Sequence, residues 1–458
     1  MPVSAQGDTI AAVATAPGPA AVAMVRLSGP EAWSVLAALT PGVTPPQARR
    51  ATVMDLEDPV SGEPLDRALV TCYEAPDSYT GERVVEVGCH GGWLVPALVL
   101  DACLGAGARR AEAGEFTRRA YLNGKLDLVQ AEAVADLAEA RGRGLHRAAM
   151  GQLERGLSER VAALRSSLVR VEALLAHHLD FPEEDDAPVP LEDVTAEAAG
   201  VVGRLDALLA TAPEGELLRE GAVVVLAGRP NAGKSSLYNA LVGEERAIVT
   251  EEPGTTRDAL EARVQMGGFP FRLVDTAGLR VPEGRVERLG VEVARRYLAR
   301  ADVILFCVEA GSSPDAAAME FLDAVTPTPV VRVDTKADLA AAGPHTEEDA
   351  GYAERVAVSV VTAVGLETLR TILPRLVFKG LVGVSPDVPV VTRRRQARAL
   401  EAARGEVAAF VEALRTQVPA EVASTHLRAA ETALEEVVGA IAEDEVLDAV
   451  FKEFCIGK

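Results

Sequence analysis

The chain has 458 residues, 48% of them hydrophobic and 25% charged, proportions that exclude a disordered or fibrous protein. At about 100–200 residues per domain, this length predicts two to four domains. The formal net charge of −22 excludes a general nucleic-acid coat, because an acidic surface repels phosphate; contact with RNA must use a local basic patch or a partner protein.

In chain order, the apolar stretch Ile10–Val25 lacks a basic flank, follows Asp8 and is broken by Pro17-Gly18-Pro19, so it is not read as a signal peptide. The Val-rich runs Ala20–Leu27, Arg67–Cys72 and Val84–Val87 predict strands, and Trp93–Leu104 predicts a helix. A small α+β domain over residues 1–122 follows. From Lys125 the texture becomes rich in Ala, Leu and Glu. In Val161–Leu179, Leu164, Leu168, Val171, Leu175 and Leu179 recur at spacings of three and four, the mark of one buried helical face. Pro182 ends that helix, and Thr195–Leu209 predicts another.

Residues 219–379 change character again. Val223–Ala227, Phe271–Val274, Val303–Val308, Val330–Val333 and Val356–Val360 are short strand-like runs separated by helical or loop segments. That alternation predicts a doubly wound parallel sheet. Helical texture returns in Ala397–Leu414 and His426–Ile441. The expected architecture is thus multidomain α+β and α/β: residues 1–122, a helical domain in two portions (123–218 and 380–458), and an inserted α/β domain (219–379). The two helical portions are expected to pack together, since short helices alone bury little. Five scattered cysteines, with no pair at CxxC spacing, indicate neither a disulfide framework nor a zinc site and predict a reduced cytoplasmic setting. No run approaches the ~20 apolar residues of a membrane span.

The inserted block carries the chemistry. Gly228-Arg229-Pro230-Asn231-Ala232-Gly233-Lys234-Ser235 fits GxxxxGK[ST] between a predicted strand and a helix from Ser236. Its glycines let backbone N–H groups face phosphates, Lys234 reaches the outer phosphates, and the Ser235 hydroxyl suits Mg²⁺. Asp275-Thr276-Ala277-Gly278 ends the next confident strand, where a carboxylate can hold Mg²⁺ through water and Gly278 can meet the last phosphate. Between them Gly254-Thr255-Thr256-Arg257-Asp258 offers Thr256 to the magnesium shell. Thr335-Lys336-Ala337-Asp338 then reads as the guanine-recognition element, Asp338 accepting both N–H groups of the base edge. Most GTPases have Asn where Thr335 stands; a hydroxyl can bond guanine with fewer donors and acceptors than an amide. Ser359 reads either as a second base contact or as a turn serine. Leu279 stands where Ras-like enzymes place a water-orienting Gln, and Glu287 is either the substitute or a solvated helix glutamate. Together these elements predict a Ras-like P-loop GTPase domain.

Over essentially its whole length the chain resembles the bacterial tRNA-modification GTPases of the MnmE (TrmE) family, within the TrmE-Era-EngA-YihA-Septin-like GTPases. The resemblance is carried by Asp8-Thr9-Ile10, His90-Gly91-Gly92, Gly114-Glu115-Phe116, Lys125-Leu126-Asp127-Leu128, Gln130-Ala131-Glu132-Ala133 and Asp180-Phe181-Pro182-Glu183-Glu184. To these are added the GTPase set and Phe454-Cys455-Ile456-Gly457-Lys458. It implies an N-terminal folate-binding and dimerisation domain, a discontinuous helical domain and an inserted G domain. It further implies work with the FAD-containing flavoprotein MnmG on certain tRNAs, adding an aminomethyl or carboxymethylaminomethyl group to C5 of the wobble uridine. The one-carbon donor would be 5,10-methylenetetrahydrofolate, with 5-formyltetrahydrofolate as its analogue.

By residue match, the resemblance implies GTP contacts from Asn231, Ala232, Gly233, Lys234, Ser235, Ser236, Thr250, Thr255, Thr256, Asp275, Thr276, Ala277 and Gly278. Thr335, Lys336, Asp338 and Ser359 complete that set. It implies Mg²⁺ on Ser235 and Thr256; K⁺ on Asn231, Thr250, the Glu252 carbonyl and Thr255; and a water-positioning role for Glu287. A monovalent cation beside the phosphates can do the charge neutralisation that an arginine finger does elsewhere. Folate contacts are implied for Arg26, Glu86, Lys125 and Lys458, each of which by itself reads as a surface charge or an ion pair. A pterin resembles the guanine edge, so Glu86 suits its N–H groups and the cations suit a carboxylate tail. Cys455 is implied to matter for modification, as nucleophile, acid/base or packing residue. Arg393-Arg394-Arg395 with Arg141 and Arg143 reads either as a tRNA-facing patch or as a solvated helix start. The competing functions are a regulatory GTPase of ribosome assembly without modification chemistry, and a folate-binding scaffold with a silent G domain. The intact Lys234, Ser235, Asp275 and Asp338 oppose the second.

Overall fold

Alternation of apolar and polar residues lays out a six-stranded sheet in the first part of the chain. The computed structural model describes residues 7–180, 190–243, 261–275, 296–312, 320, 324–339, 351–382, 389–441 and 444–458. The elements of this first part are β1 (Ile10–Val13), β2 (Gly18–Ser28), α1 (Ala32–Leu39), β3 (Thr52–Glu57), β4 (Pro64–Tyr73), β5 (Val84–Gly92), α2 (Val95–Gly105) and β6 (Arg109–Arg110). The strands are ordered β3-β4-β5-β2-β1-β6, antiparallel except that β6 runs parallel to β1. Val25, Leu27, Val70, Val85 and Val87 face Leu36 of α1 and Val99 of α2, and that face is core. Because side chains alternate across a strand, Ala12, Arg26, Glu86 and Thr71, which are cross-strand partners in sequence β1-β2-β5-β4, share the opposite face.

Helices follow: α3 (Glu115–Leu122), α4 (Leu128–Glu139), α5 (Arg143–Leu153), α6 (Gly156–Asp180), α7 (Leu191–Leu209) and α8 (Ala212–Glu220). α7 buries Val194, Ala198, Val201, Leu205 and Leu208, a stripe of spacing three and four, and packs on α6. The inserted block comprises β7 (Ala222–Gly228), α9 (Lys234–Gly243), β8 (Glu261–Met266), β9 (Phe269–Asp275), β10 (Val303–Glu309), β11 (Val330–Thr335), β12 (Glu354–Ala357) and α10 (Leu366–Val377).

Its sheet has the order β12-β11-β10-β7-β9-β8. The five strands expected from sequence, β7, β9, β10, β11 and β12, pair in parallel, and one strand the sequence reading did not place joins them at the edge. β8 is antiparallel to β9, joined through Gly267 and Gly268, both at positive φ (59° and 84°). Its residues Glu-Ala-Arg-Val-Gln-Met alternate polar with apolar groups, as an edge strand with one solvated face does, and so lack the Val-rich signature of the buried strands.

The chain closes with α11 (Arg394–Arg415), α12 (Ala420–Val438) and α13 (Asp444–Lys452). α11 packs on α7, so helices from before and after the inserted block lie together. Gln152 of α5 ties the same join, its Nε2 donating to the Val390 carbonyl at 2.8 Å and to Thr392 Oγ1 at 3.1 Å. Contacts divide the chain into two compact units, Met1–Ala135 with Thr432–Lys458, and Asp136–Glu431. In the first, Leu447, Val450, Phe451 and Phe454 share a core with Leu128 and Ala131, and Arg118 pairs with Asp448 at 2.8 Å. No described helix is long and apolar enough to cross a membrane.

Candidate functional site

The phosphate loop is shaped by three backbone positions that few residues tolerate. Gly228 ends β7 at φ 131°, and a Cβ there would stand 2.3 Å from the Cys307 carbonyl oxygen on the neighbouring β10. Asn231 (φ 63°) and Gly233 (φ 83°) then turn the chain into α9, whose first residue is Lys234. A parallel strand feeding a helix N-terminus through such a loop aims main-chain N–H groups at an anion. Lys234 is buried, and its Nζ donates to the carbonyls of Gly228 (2.9 Å) and Arg229 (2.6 Å), which holds the ammonium across the loop. Ala232 is buried, while Asn231, Ser235 and Ser236 are exposed.

Register supplies the acidic partner. β9 lies parallel to β7 with Leu226 opposite Asp275, so Asp275 ends its strand beside the loop. Ser235 Oγ donates to Asp275 Oδ2 at 2.7 Å. A hydroxyl and a carboxylate, both hard oxygen donors, therefore meet at the head of α9, a donor set that fits Mg²⁺. Cys307, on β10 behind the loop, is wholly buried, and burial pushes its thiol up to about 12.

The other end of the site is built by β11 and β12. Thr335 is a buried residue whose hydroxyl faces two carbonyls. Its Oγ1 lies 2.8 Å from the Ala232 carbonyl and 3.1 Å from the Val308 carbonyl, and the residue is 4% exposed. In this structure the hydroxyl acts as a tether. One hydroxyl has one proton, and here it fastens the phosphate loop to β10 and β11. Lys336 follows at φ 57°, its Nζ 2.9 Å from Glu309 Oε2. Asp338 is exposed and accepts from Ser359 Oγ at 2.7 Å; Ser359 Oγ also accepts from the Thr362 N–H at 3.2 Å. The two readings of Ser359 merge: it is a buried turn serine that orients Asp338. Thr250, Glu252, Thr255, Thr256, Thr276, Ala277, Gly278 and Glu287 lie outside the described residues.

The first unit gathers the remaining candidates. Arg26 donates from Nε (3.0 Å) and Nη2 (2.7 Å) to Glu86 Oε1, and the Tyr73 hydroxyl donates to Glu86 Oε2 at 3.3 Å. The Arg26 guanidinium lies 5.6 Å from the Tyr79 ring centroid and 5.8 Å from that of Phe116. Burial raises the Tyr73 hydroxyl above its ordinary value, and the Glu86 charge adds to the rise. Lys125 is exposed, its Nζ donating to the Pro76 carbonyl at 3.0 Å at the foot of the loop that carries Tyr79. Residues 455–458 dock on the same sheet: the Gly114 N–H donates to the Cys455 carbonyl at 3.4 Å, Ile456 bridges Ala113, and Gly457 (φ 97°) abuts Val13 of β1. A Cβ on Gly457 would stand 2.6 Å from the Val13 carbonyl oxygen.

Arg26 and Glu86 are thus a direct pair, Lys125 is held at the Pro76 carbonyl, and Lys458 follows the contact of Gly457 with β1; Cys455 is exposed and the other four cysteines are buried. Sequence reading missed Tyr73, Tyr79 and Phe116. For Tyr73 the signal was present, since period two along β4 puts it on the face that Thr71 shares with Glu86. Arg393 is corrected as a tRNA-facing residue. Its Nη2 lies 2.6 Å from Asp136 Oδ1 with both side chains buried, because a buried carboxylate must be paired. Arg394 pairs with Glu216.

The description "MnmE helical domain" matches residues 128–455, and "GTP-binding protein TrmE N-terminus" matches residues 9–125. The chain is 41% identical over 464 residues to the tRNA modification GTPase MnmE of Moorella thermoacetica, covering 98% of this chain and 99% of that one. It is 42% identical over 455 residues to the tRNA modification GTPase MnmE of Neisseria meningitidis, with the same coverage of 98% and 99%. Among solved structures, the G domain of the T. maritima FeoB iron transporter is 27% identical, covering 34% of this chain and 98% of that one, with a TM-score of 0.26.

Proposed function

The chain belongs to the MnmE family of tRNA modification GTPases, and from that premise we propose how its two units divide the work. It is a GTP hydrolase acting in tRNA modification. The nucleotide lies between the phosphate loop and Asp338. Main-chain N–H groups of residues 231–236 and the Lys234 ammonium neutralise the phosphates, while the Asp338 carboxylate accepts from the guanine edge. Ser235 and Thr256 would hold Mg²⁺ together with the Asp275 carboxylate, and the ion would neutralise charge on the phosphates. Asn231, Thr250, the Glu252 carbonyl and Thr255 would hold K⁺, which would add positive charge beside the phosphates, and Glu287 would position the attacking water where Ras-like enzymes use a glutamine. The observation that carries the nucleotide reading is the 2.7 Å contact of Ser235 with Asp275, which unites two motifs 40 positions apart.

In the first unit, Arg26, Glu86, Lys125 and Lys458 hold a reduced folate. The residues fit such a group: the Glu86 carboxylate has acceptor capacity for a donor edge, and it is paired with a guanidinium held against two aromatic rings. When bound, the folate supplies the one-carbon unit for C5 of the wobble uridine. The working assembly is a cytoplasmic homodimer with an MnmG-like FAD flavoprotein and tRNA. Its domains are residues 1–122, 123–218 with 380–458, and 219–379. The −22 charge makes tRNA binding by this chain alone weak and dependent on the partner. The test is GTP hydrolysis in potassium against sodium salts at equal ionic strength. A strong rise in potassium supports the assignment of Asn231 and its loop; equal rates overturn it.

A further inference from the structure

Val331 and Val333 of β11 are core residues, so strand alternation turns Arg332 and Asp334 to the other face of the sheet. Asp334 is 1% exposed there, and both its oxygens are engaged: Arg332 Nε donates to Oδ1 at 2.9 Å and Arg355 Nε donates to Oδ2 at 2.6 Å. Both guanidiniums are themselves buried. Arg355 comes from β12, where it is the cross-strand partner of Arg332. Arg332 Nη2 also donates to the Ser312 carbonyl at 3.2 Å, in the segment after β10.

One carboxylate therefore ties β11 to β12, and its partner Arg332 extends the tie to the segment after β10. The main chain makes the same join, Val358 N–H donating to the Asp334 carbonyl at 2.8 Å and Ala337 N–H to the Val358 carbonyl at 3.2 Å. Just beyond lie Asp338 and Ser359, in contact at 2.7 Å. Buried charge clusters stabilise a fold poorly compared with apolar residues of the same volume, so stability alone is a weak reason for three charged groups here.

We propose that Asp334 is a positioning residue for guanine recognition. By clamping Arg332 and Arg355 it fixes the exit of β11, which carries Asp338, against the exit of β12, which carries Ser359. The direction of the Asp338 carboxylate, and hence the preference for a base with a 2-amino group, depends on that clamp. This rests on the reading of Asp338 as the acceptor for guanine N–H groups.

The experiment is competition of GDP and IDP against a fluorescent GDP on the full-length protein, comparing wild type with Asp334→Asn and Asp338→Ala. IDP lacks the 2-amino group, so the GDP:IDP affinity ratio reads carboxylate placement. Loss of folded protein lowers the number of sites titrated and leaves the ratio unmoved. Asp338→Ala is expected to abolish the preference, Asp334→Asn to narrow it about tenfold, the scale of one hydrogen bond to a charged group, and Asp334→Glu to restore part of it. A wild-type ratio in Asp334→Asn beside a collapsed ratio in Asp338→Ala overturns the clamp alone. An unchanged ratio in Asp338→Ala overturns the base reading and the clamp with it. Should Asp334→Asn prove insoluble, Arg355→Gln on the end strand β12 takes its place; narrowing supports the clamp and an unchanged ratio overturns it.

Discussion

Replacing Thr335 by valine keeps the shape of the side chain and deletes one hydroxyl. That hydroxyl lies 2.8 Å from the Ala232 carbonyl and 3.1 Å from the Val308 carbonyl, at a residue 4% exposed. Without it the Ala232 carbonyl loses a partner where water has little access. A net hydrogen bond is worth about 0.5–1.5 kcal/mol, and a buried acceptor left unsatisfied costs about 1–3 kcal/mol. Ala232 lies within the phosphate loop, so the loss falls on nucleotide binding. An affinity decrease of about 1–2 kcal/mol, roughly 5–30-fold, is expected. Equilibrium titration with fluorescent GDP measures it, and IDP should weaken by the same factor because Thr335→Val leaves the base edge untouched. A loss of GDP affinity that spares IDP would refute the tether and return the hydroxyl to the base. Unchanged affinity for both would refute it as well.

Two further outcomes follow from the first unit and the cysteines. Burial pushes the Glu115 carboxyl up, but hydrogen bonds from Arg109, the Glu112 N–H and Arg119 outweigh it and hold the group below its ordinary 4.5. A depressed folded-state value means stabilisation that is complete above about pH 4.5 and lost as pH falls through the folded value. Glu115→Gln should therefore cost about 3 kcal/mol at neutral pH and flatten the acid limb in denaturant unfolding, and a wild-type acid limb would contradict this. Burial pushes the thiols of Cys103 and Cys307 up to about 12 and that of Cys72 up to about 11, whereas Cys455 is exposed. Alkylation near pH 8 should label Cys455 alone before unfolding, as read by peptide mass spectrometry; early label on Cys103 or Cys307 would contradict the packing.

What the sequence made legible were features written locally. The phosphate loop announces itself because Gly228, Gly233 and Lys234 must stand at fixed offsets between a strand and a helix, and buried strands such as Val303–Glu309 are continuous apolar runs. The edge strand Glu261–Met266 escaped, since half its residues face solvent. The role of Thr335 also escaped, because its partner Ala232 lies 103 positions away and only the folded sheet brings them together. Arg393 looked like surface charge in a run of three arginines, yet its partner Asp136 is 257 positions distant. Arg26 and Glu86 fall between these cases. Neither announces a pair, but the β2–β5 register makes them direct cross-strand neighbours.

The proposed function places a nucleotide site in one unit and a one-carbon site in the other, and on that proposal both must work for the tRNA to be modified. Mass spectrometry of wobble nucleosides from cells lacking the native protein, complemented with the full chain or with Ser235→Ala or Arg26→Ala, tests this most directly. The account predicts C5-aminomethyl groups with the unaltered chain and their loss with either substitution; wild-type levels of the modified uridine with Ser235→Ala and Arg26→Ala would contradict it.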